Sequence, residues 1–251
     1  MAINVNTVYQ TVLLILNKEQ RGYMTPDEFN SVGTQVQLEV FEKYFEDLNQ
    51  QIRVPQTDFN YSDRVENIDE KIAIFKTFGN AVYDSTSTPG QIYFTLPTTD
   101  AYGATATFYR LGTVTYNNEV ELQRLQRNDF YTSEKSKLTK ATTTFPTYLY
   151  ENQKLFIRPI SIVSSIQVDY VRKPLNPIWG FTVGTLGQYQ YNSTAFSATV
   201  TTGSRNFELH ESEQTEIILR ILQYAGIIIR DPQIIQAAAQ QVQMDEMNKK
   251  S

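Results

Sequence analysis

The stretch Met24-Thr25-Pro26-Asp27-Glu28-Phe29 marks the start of a long helix and decides the fold of the N-terminal region. Thr25 suits the N-cap, Pro26 suits the first helical position, and Glu28 can reach back to the cap to complete a capping box. The Met and Phe at the two ends of the stretch are placed to form a hydrophobic staple. The sequence therefore predicts a helix that begins here, with Thr25 and Glu28 as its structural anchors.

Apolar side chains extend this helix and predict another before it. From Phe29 to Ile52 they recur at three- and four-residue spacing, and Pro55 ends the pattern. A first helix precedes Gly22 and has the same spacing among Val5, Val8, Val12, Leu13 and Leu16. Residues 1–55 are therefore expected to form a helical hairpin.

The middle of the chain, residues 72–207, changes to the two-residue period of strands. Runs rich in Thr, Tyr, Phe and Val occupy residues 91–96, 105–109, 147–150, 154–158 and 167–172. Glu151-Asn152-Gln153 joins two of these runs and predicts a hairpin. One short helix is expected around 123–138, and 186–200 is expected to be an exposed hairpin or a long loop.

The C-terminal residues 208–251 return to helix. Residues 211–230 are apolar on nearly all sides after the first turn, so this helix should be buried on several sides, by its own domain or by another subunit. Asp231-Pro232 then restarts a helix that runs to 247, and a polar tail follows. Helices, then strands, then helices predict a single α+β domain, in which the N- and C-terminal helices pack together as a helical body and the middle of the chain forms a central antiparallel β region.

Composition argues against most enzyme classes. The 251 residues include no Cys, one His and one Trp, against 16 Tyr and 14 Phe. Disulfides, thiolate chemistry and multi-histidine zinc sites are thereby excluded. His210 is expected to start a helix, and the pairs Asp27-Glu28, Glu46-Asp47 and Asp69-Glu70 are expected on solvated faces. We therefore predict a protein that is not an enzyme and has no catalytic residue, cofactor or metal.

Charge is distributed unevenly along the chain, whose net charge is −5. Residues 1–70 carry 12 acidic and 5 basic residues, 71–207 carry 8 and 13, and 208–251 carry 7 and 4. This is either ordinary surface variation or the sign of a protomer whose acidic ends meet complementary surfaces of its neighbours. The apolar run 217–229 is too short for a membrane span of about 20 residues, and the N-terminus lacks the basic region of a signal peptide.

Basic residues cluster within the predicted 123–138 helix and just after it, namely Arg124, Arg127, Lys135, Lys137 and Lys140. Phe130 and Tyr131 lie between them, as in a surface that stacks nucleic-acid bases. Asp129 and Glu134 balance the charge, which favours a solvated helix face, and weak contact with DNA is the alternative.

The most distinctive segment runs from Val168 to Trp179. A predicted strand leads into Pro174 and Pro177, which direct the backbone away from helix and strand. We expect Pro174 to mark the exit from the strand and Trp179 to anchor that exit by packing against the body of the domain.

Four segments, taken in order, resemble structural proteins of tailed bacteriophages, particularly crAss-like phages and related podoviruses. They are Gly22-Tyr-Met-Thr-Pro-Asp-Glu-Phe-Asn30, Glu39-Val-Phe-Glu-Lys-Tyr-Phe45, Tyr170-Val-Arg-Lys-Pro-Leu-Asn-Pro-Ile-Trp179 and Leu209-His-Glu-Ser-Glu213. The resemblance is to head-to-tail connector components, the adaptor or ring proteins that stack beneath the portal. Minimal adaptors are shorter and mainly helical, so the 72–207 region would suit a later ring or a fibre-docking component.

The resemblance implies a virion protein of the head–tail junction, made in the host bacterial cytoplasm. Such proteins typically form twelve-fold rings of identical subunits, contact the portal or adjacent tail proteins, and surround a channel through which DNA passes. It implies no enzymatic activity, cofactor or membrane. Within this framework we expect residues 236–251 to reach an adjacent ring or the portal, and we expect six side chains at interfaces: Ile217, Ile221, Tyr224, Ile228, Met244 and Met247.

Aromatic residues of the β region support a competing hypothesis, a carbohydrate-binding or adhesin module of a phage tail. The residues concerned are Tyr148, Tyr150, Tyr189, Tyr191 and Phe196. Sugar sites need aromatic faces beside polar groups, and wet protein interfaces need the same features.

Overall fold

The computed structural model describes residues 2–18, 23–53, 60–86, 92–101, 103 and 105–229, together with residues 240, 241, 243, 244 and 247. The fold is α+β, as predicted. The chain divides into two compact units: a helical unit, Met1–Ile74 with Pro174–Ser251, and a β unit, Phe75–Lys173. The β unit is therefore shorter than the predicted 72–207 region, because the chain leaves the sheet at Pro174 and residues 174–207 join the helical unit.

The helical unit contains both predicted N-terminal helices. Its helices are α1 (Val5–Lys18), α2 (Pro26–Arg53), α3 (Asn60–Ala73) and α5 (Gln214–Ile229), with a 3-10 turn at Glu211–Glu213 before α5. Helices α1 and α2 both contact α5, which confirms that the N- and C-terminal helices pack together. Helix α3 was not predicted, although Val65, Ile68 and Ile72 follow a helical spacing.

Helix α5 is buried on several sides, as its composition predicted. Among its residues, Ile217 and Ile221 are completely buried, and none from 216 to 226 is exposed. The predicted helix after Pro232 lies largely outside the described residues, but positions 240, 241, 243, 244 and 247 are helical and exposed. No described helix is both long and apolar enough to cross a bilayer.

Aromatic side chains form the core of the helical unit. The ring centroid of Tyr9 lies 4.8 Å from that of Phe29 and 4.5 Å from that of Trp179. Phe29 also meets the buried Phe207 edge-on, at 6.5 Å between centroids. Phe207 in turn pairs with Ile3 through two backbone hydrogen bonds of 3.1 Å, so the N-terminal residues share one core with the segment that precedes α5.

The β unit consists of two sheets that enclose an apolar core. One sheet has the order β1-β9-β4-β5 and the other the order β2-β3-β8-β7-β6. The strands are β1 (Lys76–Asn80), β2 (Val82–Asp84), β3 (Tyr93–Thr95), β4 (Phe108–Tyr116), β5 (Val120–Glu121), β6 (Gln123–Arg124), β7 (Thr147–Glu151), β8 (Lys154–Arg158) and β9 (Ile166–Arg172). All described pairings are antiparallel except the parallel β6–β7 pair.

The edge strands of the two sheets are continuous with each other. Strand β1 passes through Ala81 into β2, and β5 passes through Leu122 into β6, so the same chain segments end both sheets. Such strands form the corners of two-sheet packings. Leu122 belongs to the same buried core as Val114 of one sheet and Leu155 of the other, so both layers share this core.

The hairpin predicted at Glu151-Asn152-Gln153 is confirmed. Strands β7 and β8 pair directly, with Glu151 opposite Lys154, and the two turn residues adopt positive φ angles of 50° and 56°. Two positive φ angles in a two-residue turn match the right-handed twist of the flanking strands.

Two predicted elements of the β unit were misplaced. The strand expected at 105–109 is β4, which begins at Phe108 and continues to Tyr116. The helix expected around 123–138 is only α4 (Arg127–Ser133). It ends early because local hydroxyl groups bond the backbone outside the helical pattern: Thr139 Oγ1 donates to the Ser133 carbonyl, and the Leu138 N–H donates to Ser136 Oγ.

Candidate interaction surfaces

The outer face of the five-stranded sheet carries a row of cationic and aromatic side chains. Along β8, buried Leu155 and Ile157 alternate with half-buried Lys154, Phe156 and Arg158. Because successive side chains of a strand point to opposite faces, the row Lys154-Phe156-Arg158 lies on the face away from the core.

Aromatic rings support the two cations of this row. Nζ of Lys154 lies 3.8 Å from the ring centroid of Tyr93, and the guanidinium carbon of Arg158 lies 5.3 Å from that of Phe130. Both distances are in the range of cation–π attraction. Within the described part of the chain, neither cation has a carboxylate at ion-pair distance. Their charge is therefore available to a ligand or a partner.

Helix α4 and the β7–β8 turn complete an open groove over this row. Arg127 of α4 forms an exposed ion pair with Glu151, at 3.1 Å between Nη1 and Oε2, and Tyr131 follows one turn later with 52% of its surface exposed. We call this site the basic groove, since three cations face one carboxylate. It has a volume of about 530 Å³ and is lined by Ile92, Arg127, Tyr131, Leu149, Glu151, Asn152, Lys154, Phe156, Arg158 and Ile160.

The segment after α4, residues 134–146, presents further cations together with exposed apolar groups; we call it the lysine loop. Lys135, Lys137 and Lys140 are all exposed, and they lie beyond the helix on which they were predicted to cluster. Leu138 is 97% exposed and Phe145 is 76% exposed. Burial of either side chain against a partner would be favourable.

The helical unit has a groove of the opposite charge, which we call the acidic groove. Its volume is about 260 Å³, and it is lined by Glu39, Glu42, Lys43, Glu46, Asp47 and Gln50 of α2 and Arg220 of α5. Glu42 and Glu46 are exposed one helical turn apart. Of the pair Glu46-Asp47, predicted on a solvated face opposite Phe41 and Phe45, Glu46 is exposed and Asp47 is half-buried.

The cations beside the acidic groove are already engaged by carboxylates. Arg220 donates two hydrogen bonds to Oε1 of buried Glu216, at 3.1 and 2.9 Å, and Lys43 Nζ lies 3.2 Å from the same oxygen. Arg220 also lies 3.5 Å from Glu39. The Tyr224 hydroxyl donates to Glu39, and this hydrogen bond, with burial, raises the pKa of Tyr224. The groove is therefore net negative towards solvent.

A third surface is the hairpin of β10 (Phe181–Val183) and β11 (Tyr189–Tyr191) in the helical unit. Trp179 is 5% exposed and stacks on Phe181 at 6.0 Å between centroids, while Tyr189 meets Phe181 edge-on at 5.0 Å. At the hairpin tip Leu186 is 90% exposed. The expected exposed hairpin is therefore present in the 186–200 region, but it begins earlier, at Phe181.

The four predicted anchors have the expected contacts. The Thr25 N–H donates to Glu28 Oε2 at 2.8 Å and the Glu28 N–H donates to Thr25 Oγ1 at 3.4 Å, which confirms the capping box. The first of these bonds lowers the pKa of Glu28 below 4.5. Pro174 is buried at the strand exit, and Trp179 is held against Tyr9 of α1.

The six predicted interface residues fall into different environments. Ile217 and Ile221 are core residues of the helical unit, and Tyr224 is half-buried beside Glu39. The side chain of Ile228 lies outside the described residues. Met244 and Met247 are 55% and 64% exposed. Their role in contacts between subunits stays a prediction.

Residues considered for catalysis have structural roles. His210 is the N-cap of the 3-10 turn, as predicted, and its Nδ1 accepts a hydrogen bond of 3.3 Å from the Ser212 N–H. Among the described residues, no three acidic or histidine side chains come together in a group that could hold a metal ion.

The aromatic residues considered for sugar binding are divided between the two units. Tyr148 is buried in the core of the β unit and Tyr150 is half-buried there, whereas Tyr189, Tyr191 and Phe196 belong to the helical unit. The basic groove was not predicted, because its residues come from β8, α4 and the β7–β8 turn. The alternation Lys154, Phe156, Arg158 was the one signal in the sequence that could have identified it.

In comparisons with known proteins, no family model matches the chain, and no curated protein matches it.

Proposed function

We propose that the chain is a structural virion protein that forms a ring in the head-to-tail connector of a tailed phage. In this role it stacks below the portal, contacts the portal or adjacent tail proteins, and continues the channel through which DNA passes. The ring is a homo-oligomer, with twelve-fold symmetry as the phage-like segments imply.

The observation that carries the proposal is the opposite charge of the two compact units. The β unit has 11 basic and 8 acidic residues, and the remainder of the chain has 11 basic and 19 acidic residues. The β unit also carries the basic groove, and the helical unit carries the acidic groove. A subunit with unlike faces can associate head to tail, and such contacts close into a ring when the rotation per subunit divides a full turn.

The exposed apolar groups give a second line of support. Leu138 and Phe145 on the lysine loop and Leu186 at the hairpin tip are each more than three-quarters exposed. Burial of each of these side chains against a partner would be favourable by about 1–3 kcal/mol, so they could add to contacts between subunits.

Native mass spectrometry and negative-stain microscopy of the purified chain, alone and with the portal of the parent phage, test the proposal. We expect closed rings or a stoichiometric complex with the portal. Electron cryomicroscopy of the parent particle should place one ring of this chain at the head–tail junction. Its location elsewhere in the particle, or its absence from purified particles, would refute the proposal.

The C-terminal segment has its own test within this proposal. Removal of residues 236–251 should weaken association with the portal or the adjacent ring without unfolding the helical unit. The buried residues of that unit, as far as the structure describes them, all lie at or before residue 226. Unchanged assembly with the portal would show that this segment makes no essential contact.

The alternative function is a carbohydrate-binding, adhesin or fibre-docking module of the phage tail. The basic groove is the feature that favours it, because aromatic rings, cations and Asn152 lie side by side there. A glycan array distinguishes the two functions: selective glycan binding by a stable monomer, lost in Phe156→Ala, would support the alternative over the ring.

A further inference from the structure

We infer that the basic groove is the receptor for the acidic groove of a second copy of this chain, so that neighbouring subunits join head to tail through these two sites. The inference rests on the proposed ring, and it identifies the contact between neighbouring subunits that would form the ring. Each copy then contributes its β unit to one neighbour and its helical unit to the other.

The groups in the basic groove match a surface rich in carboxylates. Lys154 and Arg158 flank Phe156 on one face, and each is held by a ring rather than by a carboxylate. Their side chains are half-buried, so they are already partly desolvated and ordered. A cation in this state binds an incoming carboxylate at a smaller cost in side-chain entropy than a mobile surface lysine.

The acidic groove supplies the complementary features. Glu42 and Glu46 project one turn apart from a long helix that is fixed by its buried face. The nearby cations Lys43 and Arg220 are turned towards Glu216, so they do not oppose an approaching positive surface.

The contact joins two different grooves, so it can be heterologous. In that arrangement each added subunit leaves one unused site of each sign, as a ring requires. The lysine loop adjoins the basic groove in sequence and adds exposed cations that steer the acidic surface towards it. Association should therefore weaken as ionic strength rises.

Charge-reversal variants of the full chain test the inference by sedimentation velocity. Lys154→Glu/Arg158→Glu and Glu42→Lys/Glu46→Lys should each reduce self-association by at least about tenfold, because like charges then face each other. A one-to-one mixture of the two variants should restore association, since every contact again pairs opposite charges. Such rescue also shows that both variants are folded.

Two control variants carry the same charge changes outside the grooves. Glu66→Lys/Glu70→Lys reverses two exposed carboxylates one turn apart on α3, and Lys135→Glu/Lys140→Glu reverses two lysines of the loop. The first should leave association unchanged, and the second should slow it with less than a tenfold loss of affinity. The neutral pair Lys154→Gln/Arg158→Gln should weaken association without the repulsion of the reversed pair.

The results that would overturn the inference are distinct from those that would refute the ring. A wild-type chain that stays monomeric, reversal variants that associate normally, or a mixture that is not rescued would each exclude this contact. Saturable binding of an acidic polysaccharide or of single-stranded DNA that depends on Lys154 and Arg158, with no self-association, would assign the groove to that ligand instead. A ring seen at the head–tail junction of the particle would leave the proposed function intact in every one of these cases.

Discussion

Trp179 Nε1 donates a hydrogen bond of 2.9 Å to Oδ1 of Asn6, and so joins the segment after Pro177 to helix α1. Asn30 of α2 binds the backbone of the same residue, accepting from its N–H at 2.7 Å and donating to its carbonyl at 3.3 Å. Two asparagines on two helices therefore fix the one tryptophan. This arrangement explains how an irregular segment becomes part of the helical core.

The tryptophan contact predicts a specific loss of stability. Trp179→Phe removes the indole donor and leaves Oδ1 of Asn6 without that partner, so the free energy of unfolding should fall by about 1–3 kcal/mol. Urea unfolding followed by far-UV circular dichroism measures this change, because the variant lacks the only tryptophan fluorophore. Tyr189→Phe, on the exposed hairpin, should stay within about 0.5 kcal/mol of the wild type. Equal effects of the two changes would contradict the structural role of the indole.

The Gln37 side chain joins helix α2 to two distant backbone segments by hydrogen bonds. Its replacement should lower the free energy of unfolding more than that of Trp179. This side chain is 1% exposed; its Nε2 donates to the Leu175 carbonyl at 2.8 Å, and its Oε1 accepts from the Glu208 N–H at 3.0 Å. Gln37→Leu leaves two backbone groups unpaired, at a cost of about 1–3 kcal/mol each, so the free energy of unfolding should fall by about 2–5 kcal/mol.

The neighbouring exposed glutamine provides the control for Gln37. Gln35 lies in an exposed position on the same helix, where its Nε2 donates a hydrogen bond of 3.1 Å to Glu39 Oε1. Gln35→Leu should change the free energy of unfolding by about 0.5 kcal/mol or less in the same urea titration. If the two substitutions had similar effects, the junction of Gln37 with Leu175 and Glu208 would contribute little.

These contacts show what the sequence could and could not reveal about the fold. The capping box of Thr25 and Glu28 is local, and the period-two pattern of β8 is local, so both could be predicted from residues a few positions apart. Gln37 is bound to residues 138 and 171 positions away. Its position in an amphipathic helix did not indicate those partners, because they depend on the tertiary fold.

The candidate surfaces were only partly predictable for the same reason. The uneven charge of the chain indicated complementary surfaces, but the basic groove takes Arg127 from α4 and Lys154 from β8. The sequence placed the lysines after Ser133 on a helix, and hydroxyl groups that bond the backbone end that helix early. Which cations share a face therefore followed from tertiary packing.

The buried ion pair of Lys71 and Glu213 predicts strong coupling between α3 and the turn before α5. The Glu213 side chain is 2% exposed and that of Lys71 is 24% exposed. Glu213→Ala should lower the free energy of unfolding by about 3–5 kcal/mol, because the lysine keeps a poorly solvated charge without its partner. The double variant Lys71→Met/Glu213→Leu should recover most of this loss.

The exposed ion pair of Arg127 and Glu151 serves as the comparison for the buried pair of Lys71 and Glu213. Its side chains are 67% and 37% exposed, so solvent screens their attraction and Arg127→Ala should cost at most about 1 kcal/mol. A double-mutant cycle on each pair, measured by urea unfolding, gives the two coupling energies. Equal coupling in the two pairs would contradict the difference that their burial predicts.

The substitution Tyr44→Phe should stabilise the protein, by an amount that depends on pH. Its buried hydroxyl has no hydrogen-bond partner among the described residues, so Tyr44→Phe should raise the free energy of unfolding by about 1–2 kcal/mol. Burial, with the nearby carboxylates of Glu213 and Glu216, raises the pKa of Tyr44 well above 10.0. The folded state therefore favours the neutral phenol. The contribution of Tyr44 to the free energy of unfolding falls as the pH rises above about 10, the pKa of a tyrosine in the unfolded chain.

The advantage of the Tyr44→Phe variant should consequently be constant below about pH 9 and should grow above about pH 10. Urea unfolding at about pH 8 and about pH 11 measures both values, with Tyr131→Phe as the control at an exposed tyrosine. Other buried tyrosines destabilise both proteins in alkali; burial also raises the pKa of Tyr9, for example. The difference between variant and wild type isolates Tyr44 from that shared effect. An advantage that did not change between the two pH values would mean that the Tyr44 phenol ionises as easily in the folded chain as in the unfolded one.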